Sequence, residues 1–230
     1  MFQRLFARLL AWEAQRAALS WPGYDCGAGG DHERERAVPA GAGVDALDLA
    51  CLIDSASRGL ALWLWSTLRE PGQSTIEVGR HRIRTRTASP LHYKAFTVAE
   101  IGGAIAGALT GRVIPVPYER GDSADLPDVF APLLELEAVA AGSWYLNVIS
   151  VYPEFRGQGL GSALLSKAEE IARLAEAPRT SLIVEEANAG ALKLYLRYGF
   201  GEWARRPYIP FPDSMDEGDW ILLKKETTFA

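Results

Sequence analysis

The sequence predicts a mixed α/β fold. Three observations carry that prediction. Helix-like and strand-like periodicities alternate along most of the chain. An apolar run, Trp144 to Val151, leads into Arg156-Gly157-Gln158-Gly159-Leu160-Gly161, which opens an amphipathic helix. The chain then closes on two strand-like runs, Trp203 to Ile209 and Trp220 to Lys225, joined by the Pro-rich loop 210–219.

From the N-terminus, Met1 to Ser20 carries Phe2, Leu5, Phe6, Leu9, Leu10, Trp12 and Ala14 at roughly helical spacing, with Arg4, Arg8 and Arg16 between them. That predicts an amphipathic helix, suited to packing on the body, on a second copy or on a membrane surface. Arg8 and Glu13 interrupt it too early for a secretory signal. The stretch 22–30 holds one proline and four glycines and reads as a linker. Residues 1–30 are therefore expected as helix and linker, and 31–230 as the main domain. Glu33 to Val38 is a candidate first strand. Leu49, Ile53, Ala56 and Leu60 then fall on one helical face, with Gly59 placed to end or bend that helix. Leu60 to Leu68 is a second helical run, closed by Pro71-Gly72.

Ile76 to Thr87 alternates loosely and is expected as an extra strand or hairpin. His92 to Glu100 is β-rich, Gly102-Gly103 makes a turn, and Ala104 to Val116 returns. Val129 to Ala141 reads as a helix with Pro132 in its first turn and Gly142 at its end. After the strand Trp144 to Val151, a helix buries Ala163, Leu164, Ala168, Ile171, Ala172 and Ala175 on one face, and Pro178 stops it. Thr180 to Val184 is a short buried strand, and Gly199 sits where the next helix should be capped. Setting the Ile76 segment aside, the order is β-α-α-β-β-α-β-α-β-α-β-β.

Composition narrows the class. The chain has 230 residues, enough for one large domain or a domain with an appendage. A net charge of −5 argues against non-specific nucleic-acid binding. Cys26 and Cys51 form no framework or metal spacing, which suits a reducing cytoplasm. His32, His81 and His92 are scattered, so no metal site is expected. No apolar run is long enough to span a membrane.

A strand that ends in a glycine-rich turn and opens a helix builds an anion site. The first helical N–H groups lack intrahelical partners, and the helix dipole favours negative charge there. Arg156 adds a forked cationic donor. Three phosphate patterns compete. A P-loop fails, because Ser162 and Ala163 stand where glycine and lysine are required. A dinucleotide fingerprint fails on the last glycine spacing, and Glu185 follows the next strand-like run later than the ribose rule asks. The third pattern is Arg-Gly-x-Gly-x-Gly after a strand ending in Val-x-Pro. Val151-Tyr152-Pro153-Glu154-Phe155-Arg156-Gly157-Gln158-Gly159-Leu160-Gly161 fits it at every marked position.

That pattern resembles the GNAT superfamily of N-acetyltransferases. A second block strengthens the resemblance. Leu182-Ile183-Val184-Glu185-Glu186-Ala187-Asn188 resembles the family's fifth strand and following Asn, and 191–200 its next helix, ending in Tyr-x-x-x-Gly-Phe. The resemblance covers about residues 144–200 closely and about 34–225 loosely. It implies a GNAT-like mixed, mostly antiparallel central sheet flanked by helices, here with an extra N-terminal helix. It also implies acetyl-CoA as co-substrate. Ile149 and Val151 would hold the pantetheine arm by backbone contacts and present an N–H to the thioester carbonyl. Arg156, Gly157, Gln158, Gly159, Gly161 and Ser162 would bind the pyrophosphate, with Asn188 facing the cofactor or capping its helix.

By the same resemblance, Tyr195 falls on the family's general-acid tyrosine, seven residues after Asn188. A phenol with a pKa of about 10 is protonated at neutral pH and can donate to a departing thiolate. Core packing is the plainer role for such a ring, and Tyr198 is a neighbour at the wrong offset. Many family members place a Glu on the fourth strand. Here Tyr145, Asn147 and Ile149 are expected on one face of that strand, with no carboxylate among them. Asn147 could hold a water that relays a proton, or make a structural hydrogen bond. Glu100 is an alternative base, or simply a solvated strand-end charge.

The alternating Arg80, Arg82, Arg84 and Arg86 are expected on a solvated face, with an anionic-substrate role as the alternative. Trp63, Trp65 and Tyr93 default to core packing rather than a substrate cleft. The expectation is an acyl-CoA-dependent N-acyltransferase using acetyl-CoA. Its acceptor would be a small-molecule or protein amine, attacking the thioester directly in a ternary complex. A non-catalytic acyl-CoA-binding or regulatory module is the alternative. The protein is expected in the cytoplasm, without nucleic acid or a membrane span, and the N-terminal helix offers a surface for a homodimer.

Overall fold

Alternating apolar residues build one sheet of seven strands among the described residues. In chain order they are β1 (Arg36–Pro39), β2 (Thr97–Ile101), β3 (Ala104–Val113), β4 (Trp144–Val151), β5 (Arg179–Glu185), β6 (Gly201–Pro207) and β7 (Asp219–Glu226). Their order across the sheet is β1-β2-β3-β4-β5-β7-β6. Every pairing is antiparallel except β4 with β5. The helices are α1 (Ala46–Ala56), α2 (Leu60–Thr67), α3 (Thr75–Thr85), α4 (Ala131–Val139), α5 (Leu160–Leu174) and α6 (Ala189–Arg197). The computed structural model describes residues 36–39, 46–119, 126–214 and 218–229. The helix and linker expected over 1–30 lie outside the described residues. Among those described, no helix is long and apolar enough to cross a membrane.

Each sheet face is buried by its own helices. Leu164, Leu165, Ala168 and Ala172 of α5, with Tyr195 of α6, cover Leu109, Leu146, Leu182, Val184, Ile221 and Leu223 on one face. On the other, Leu49, Leu52 and Ile53 of α1, Trp65 of α2, and Val78 and Ile83 of α3 cover Val98, Ala108 and Val148. Leu136 of α4 packs with Ile114, Tyr145, Trp220 and Leu222. Full burial of each such leucine contributes about 1.5–3 kcal/mol.

The segment from Ile76 to Thr87 corrects the strand or hairpin expectation: helix α3 covers it as far as Thr85. Ser74 and Glu77 form a capping box. Ser74 Oγ accepts from the Glu77 N–H at 3.3 Å, and Glu77 Oε2 accepts from the Ser74 N–H at 2.9 Å. Val78 and Ile83 are buried, whereas Arg80, Arg84 and Arg86 are exposed. Gly79 lies directly against the Trp65 indole, where an added Cβ would come within 2.4 Å of Trp65 Cε3. Gly79→Ala should therefore lower stability by about 1–3 kcal/mol from overpacking, despite the better helix propensity of alanine. A thermal melt equal to or above the parent's would refute that close packing.

Two features of β4 shape the centre of the sheet. Thr110 pairs with Val148 but Gly111 pairs with Leu146, so Asn147 is the extra residue of a β-bulge. The bulge inverts the side-chain alternation. Trp144, Leu146, Ile149 and Val151 pack towards α5, while Val148 packs with α1 and α3. The expected shared face of Tyr145, Asn147 and Ile149 is thereby corrected: Tyr145 packs with Leu136 and Trp220, on the face opposite Ile149. Secondly, β4 and β5 pair only at Trp144–Thr180 and Tyr145–Ser181. A buried hydrogen bond of 2.6 Å between the Ser143 and Ser181 hydroxyls pins that end. Beyond it the strands diverge, since β4 runs on to Val151 and β5 to Glu185 without further pairing.

Candidate functional site

The divergence of β4 and β5 opens a cleft of about 840 Å³. That is ample for a small-molecule ligand, whose sites measure roughly 300–1,000 Å³. Ile149, Ser150 and Val151 line one wall, and Ile183, Val184 and Glu185 the other. Splayed strands leave backbone N–H and C=O groups without a ladder partner, and such groups need a ligand or water. An extended polar arm laid between the strands would satisfy them.

The glycine-rich turn closes one end of the cleft. Gly157 has φ +77° and Gly159 φ +84°, a left-handed conformation that disfavours any side chain. The first i→i−4 bond of α5 runs from the Ala163 N–H to Gly159 O at 3.1 Å. The amides of Leu160, Gly161 and Ser162 precede it and are the helix's unpaired donors. No acidic residue stands in that first turn. Gly161 serves packing as well, because a Cβ there would lie 3.2 Å from Leu194 Cδ2 of α6.

Gly157, Gly159, Gly161 and Ser162 all line the cleft, as does Arg156. Arg156 Nε donates to Val151 O at 2.9 Å and Nη2 to Ser55 Oγ at 3.4 Å, which ties the turn to the end of β4 and to α1. A guanidinium has five donors, so further hydrogen bonds to an anion are compatible with this anchoring. Gln158 is not among the lining residues, and its Nε2 donates to Glu154 O at 3.3 Å. Backbone donors with the Arg156 guanidinium beside them fit a pyrophosphate. The donor set and the slot between the strands thus fit the phosphate and the arm of acetyl-CoA.

Asn188 and Tyr195 line the same cleft from α6. Asn188 Oδ1 accepts from the Ala191 N–H at 3.3 Å and caps that helix. Tyr195 is 8% exposed and meets Phe200 edge-on, with ring centroids 6.1 Å apart. Burial pushes its phenol pKa up to about 12. Tyr198 lies outside the lining and shares a 2.6 Å hydrogen bond with Ser166.

Asn147 and Glu100 are not brought to the cleft. Asn147 sits at the bulge, half-buried and outside the lining. Glu100 lies in β2, opposite Arg36 and Ile105. Trp63, Trp65 and Tyr93 also lie outside it; Trp65 is core and Trp63 packs on Phe211 at 5.6 Å. Among the described residues, no group of His, Cys, Asp or Glu side chains forms a metal site.

Two residues enter the cleft that the sequence pattern does not pair. Arg58, between α1 and α2, places its Nε 2.6 Å from Glu185 Oε2 at the end of β5. The signal was weak in each case. Glu185 is an acid closing a strand, and Arg58 is a charged residue before a glycine. Nothing in one dimension joins them.

The model of the acetyltransferase (GNAT) family matches residues 60–200. An uncharacterized N-acetyltransferase of Methanocaldococcus jannaschii is 42% identical over 57 residues, 25% of this chain and 25% of that one. The crystal structure of an acetyltransferase superposes with a TM-score of 0.54 at 23% identity, over 80% of this chain and 95% of the other. An N-acetyltransferase from Staphylococcus aureus Mu50 gives a TM-score of 0.52 at 18% identity, over 79% of this chain and 95% of its own. At such identities the two structures speak to the fold, and they share it with this chain.

Proposed function

The chain belongs to the GNAT acetyltransferase family, and from that premise we propose that it transfers the acetyl group of acetyl-CoA to a primary amine by direct attack within a ternary complex. The reading is supported by one cleft that joins a glycine-rich turn opening a helix, a slot between splayed strands and a buried phenol. Val151, Gly159, Gly161 and Ser162 would hold the donor's phosphate and arm, with Arg156 beside them. A backbone N–H in the stretch 149–151 would meet the thioester oxygen as it gains charge. The amine nitrogen bonds to the acetyl carbon as the C–S bond breaks. Tyr195 gives its proton to the departing thiolate, and the proton shed by nitrogen restores the phenol.

Amine deprotonation has no support at Asn147, which lies outside the cleft lining. The acceptor could be carried by a small molecule or a protein, and the cysteine usage fits the cytoplasm. Calorimetric titration with acetyl-CoA, using ATP and NAD as controls, tests the donor site. Saturable binding of acetyl-CoA alone is expected. Absence of binding would remove the phosphate role of the turn 156–162 and the function with it. A non-catalytic acyl-CoA binder would bind acetyl-CoA equally, but would release no CoA with any amine.

A further inference from the structure

We propose that Glu185 receives the acceptor's ammonium and accepts its proton, with Arg58 as the exchangeable counter-charge, so that the acceptor is an amine arriving in its protonated form. The inference rests on the acetyl-transfer reading above. Among the described residues Glu185 is the one carboxylate lining the cleft. Leu182 and Val184 pack towards α5, so Ile183 and Glu185 project to the opposite face of the sheet. Its carboxylate therefore stands across the slot from the α5 turn, where an acceptor can enter without displacing the donor.

Burial explains the pairing. The Glu185 side chain is 4% exposed and Arg58 36%. A carboxylate that deep needs an opposite charge. Arg58 supplies it from a left-handed backbone position, φ +50°, which non-glycine residues seldom adopt. An incoming ammonium carries the same single positive charge as Arg58, so exchange preserves local neutrality. A neutral or anionic acceptor offers no such compensation. Once paired, Glu185 takes one proton from the ammonium and leaves a neutral amine with its lone pair. The carboxylic acid then returns that proton to solvent. The neighbouring acids Glu186 and Asp219 are instead engaged by Arg205.

The test compares benzylamine, which is an ammonium at neutral pH, with aniline, which is neutral. In E185Q, kcat/KM for benzylamine should fall by about 100-fold or more, while that for aniline stays within about threefold. E185D, which keeps the charge one methylene shorter, should restore the preference for benzylamine. Acetyl-CoA affinity should be unchanged in both. An equal loss for both amines, no loss for either, or wild-type protein that acetylates only aniline would overturn the proposal. A purely structural ion pair would lower the melting temperature and leave the ratio of the two amines untouched. If wild-type protein fails to bind acetyl-CoA, the acetyl-transfer reading has failed instead.

Discussion

Replacing Tyr195 by Phe should lower kcat by about 10²–10⁴-fold, the usual contribution of a positioned general acid, while leaving acetyl-CoA affinity nearly unchanged. The phenol hydroxyl is the one group removed. The ring keeps its edge contact with Phe200 and its place in the core between α6 and the sheet. Burial holds the phenol protonated, with a pKa pushed up to about 12. The acid form therefore persists well above neutral pH, and activity in the wild type should not fall with phenol ionisation below about pH 11. A raised folded-state value also has a sign for stability. The unfolded phenol ionises near 10 and the folded one near 12, so this contribution is intact below pH 10 and is lost as pH rises through 12. Single-turnover kinetics with saturating acetyl-CoA give the decisive measurement. An unchanged rate in Tyr195→Phe would leave the tyrosine a packing residue and the thiolate to solvent.

Much of the fold was legible in the chain because the signals were local. The glycine turn, the strand before it and the helix after it are consecutive, and the order of elements differs from the expected one by α3 alone. That helix was obscured by arginines at every second position, which imitate a strand on a solvated face. The Ser74 and Glu77 capping box was the readable counter-signal, and Ile76, Gly79 and Ile83, spaced three and four apart, fall on one helical face that packs into the core. The bulge at Asn147 left no trace in composition. It arises where Gly111 meets Trp144 and the Tyr145 carbonyl, at which a Cβ would lie 2.5–2.6 Å away. A one-residue offset there reassigns the face of every later side chain in β4. The Arg58–Glu185 pair was hidden for a different reason. It joins a loop and a strand end far apart in sequence, and only the splay of β4 from β5 makes their meeting point a cleft.

Gly159→Val should weaken acetyl-CoA binding by about 100-fold or more, equivalent to roughly 2.7 kcal/mol, while the protein stays folded. Gly159 precedes α5 with φ +84°. A β-branched residue resists that conformation and would rotate the turn to escape it. The Leu160, Gly161 and Ser162 amides would then point away from a common anion. The helix itself has reason to remain, because Leu164, Leu165, Ala168 and Ala172 bury its inner face. Global stability should thus fall only by about the strain of one residue, roughly 1–2 kcal/mol. Gly201→Ala is the matched control, since Gly201 lies outside the cleft and an added Cβ meets nothing within 4 Å. Calorimetry and thermal melts on the two variants separate the effects. If Gly159→Val binds acetyl-CoA like the control, the helix N-terminus is not the phosphate cradle, and the glycines serve the chain's path alone. If binding and folding are lost together, the turn is a structural nucleus. Lost binding in a folded protein ties the anion site to the backbone of 159–162.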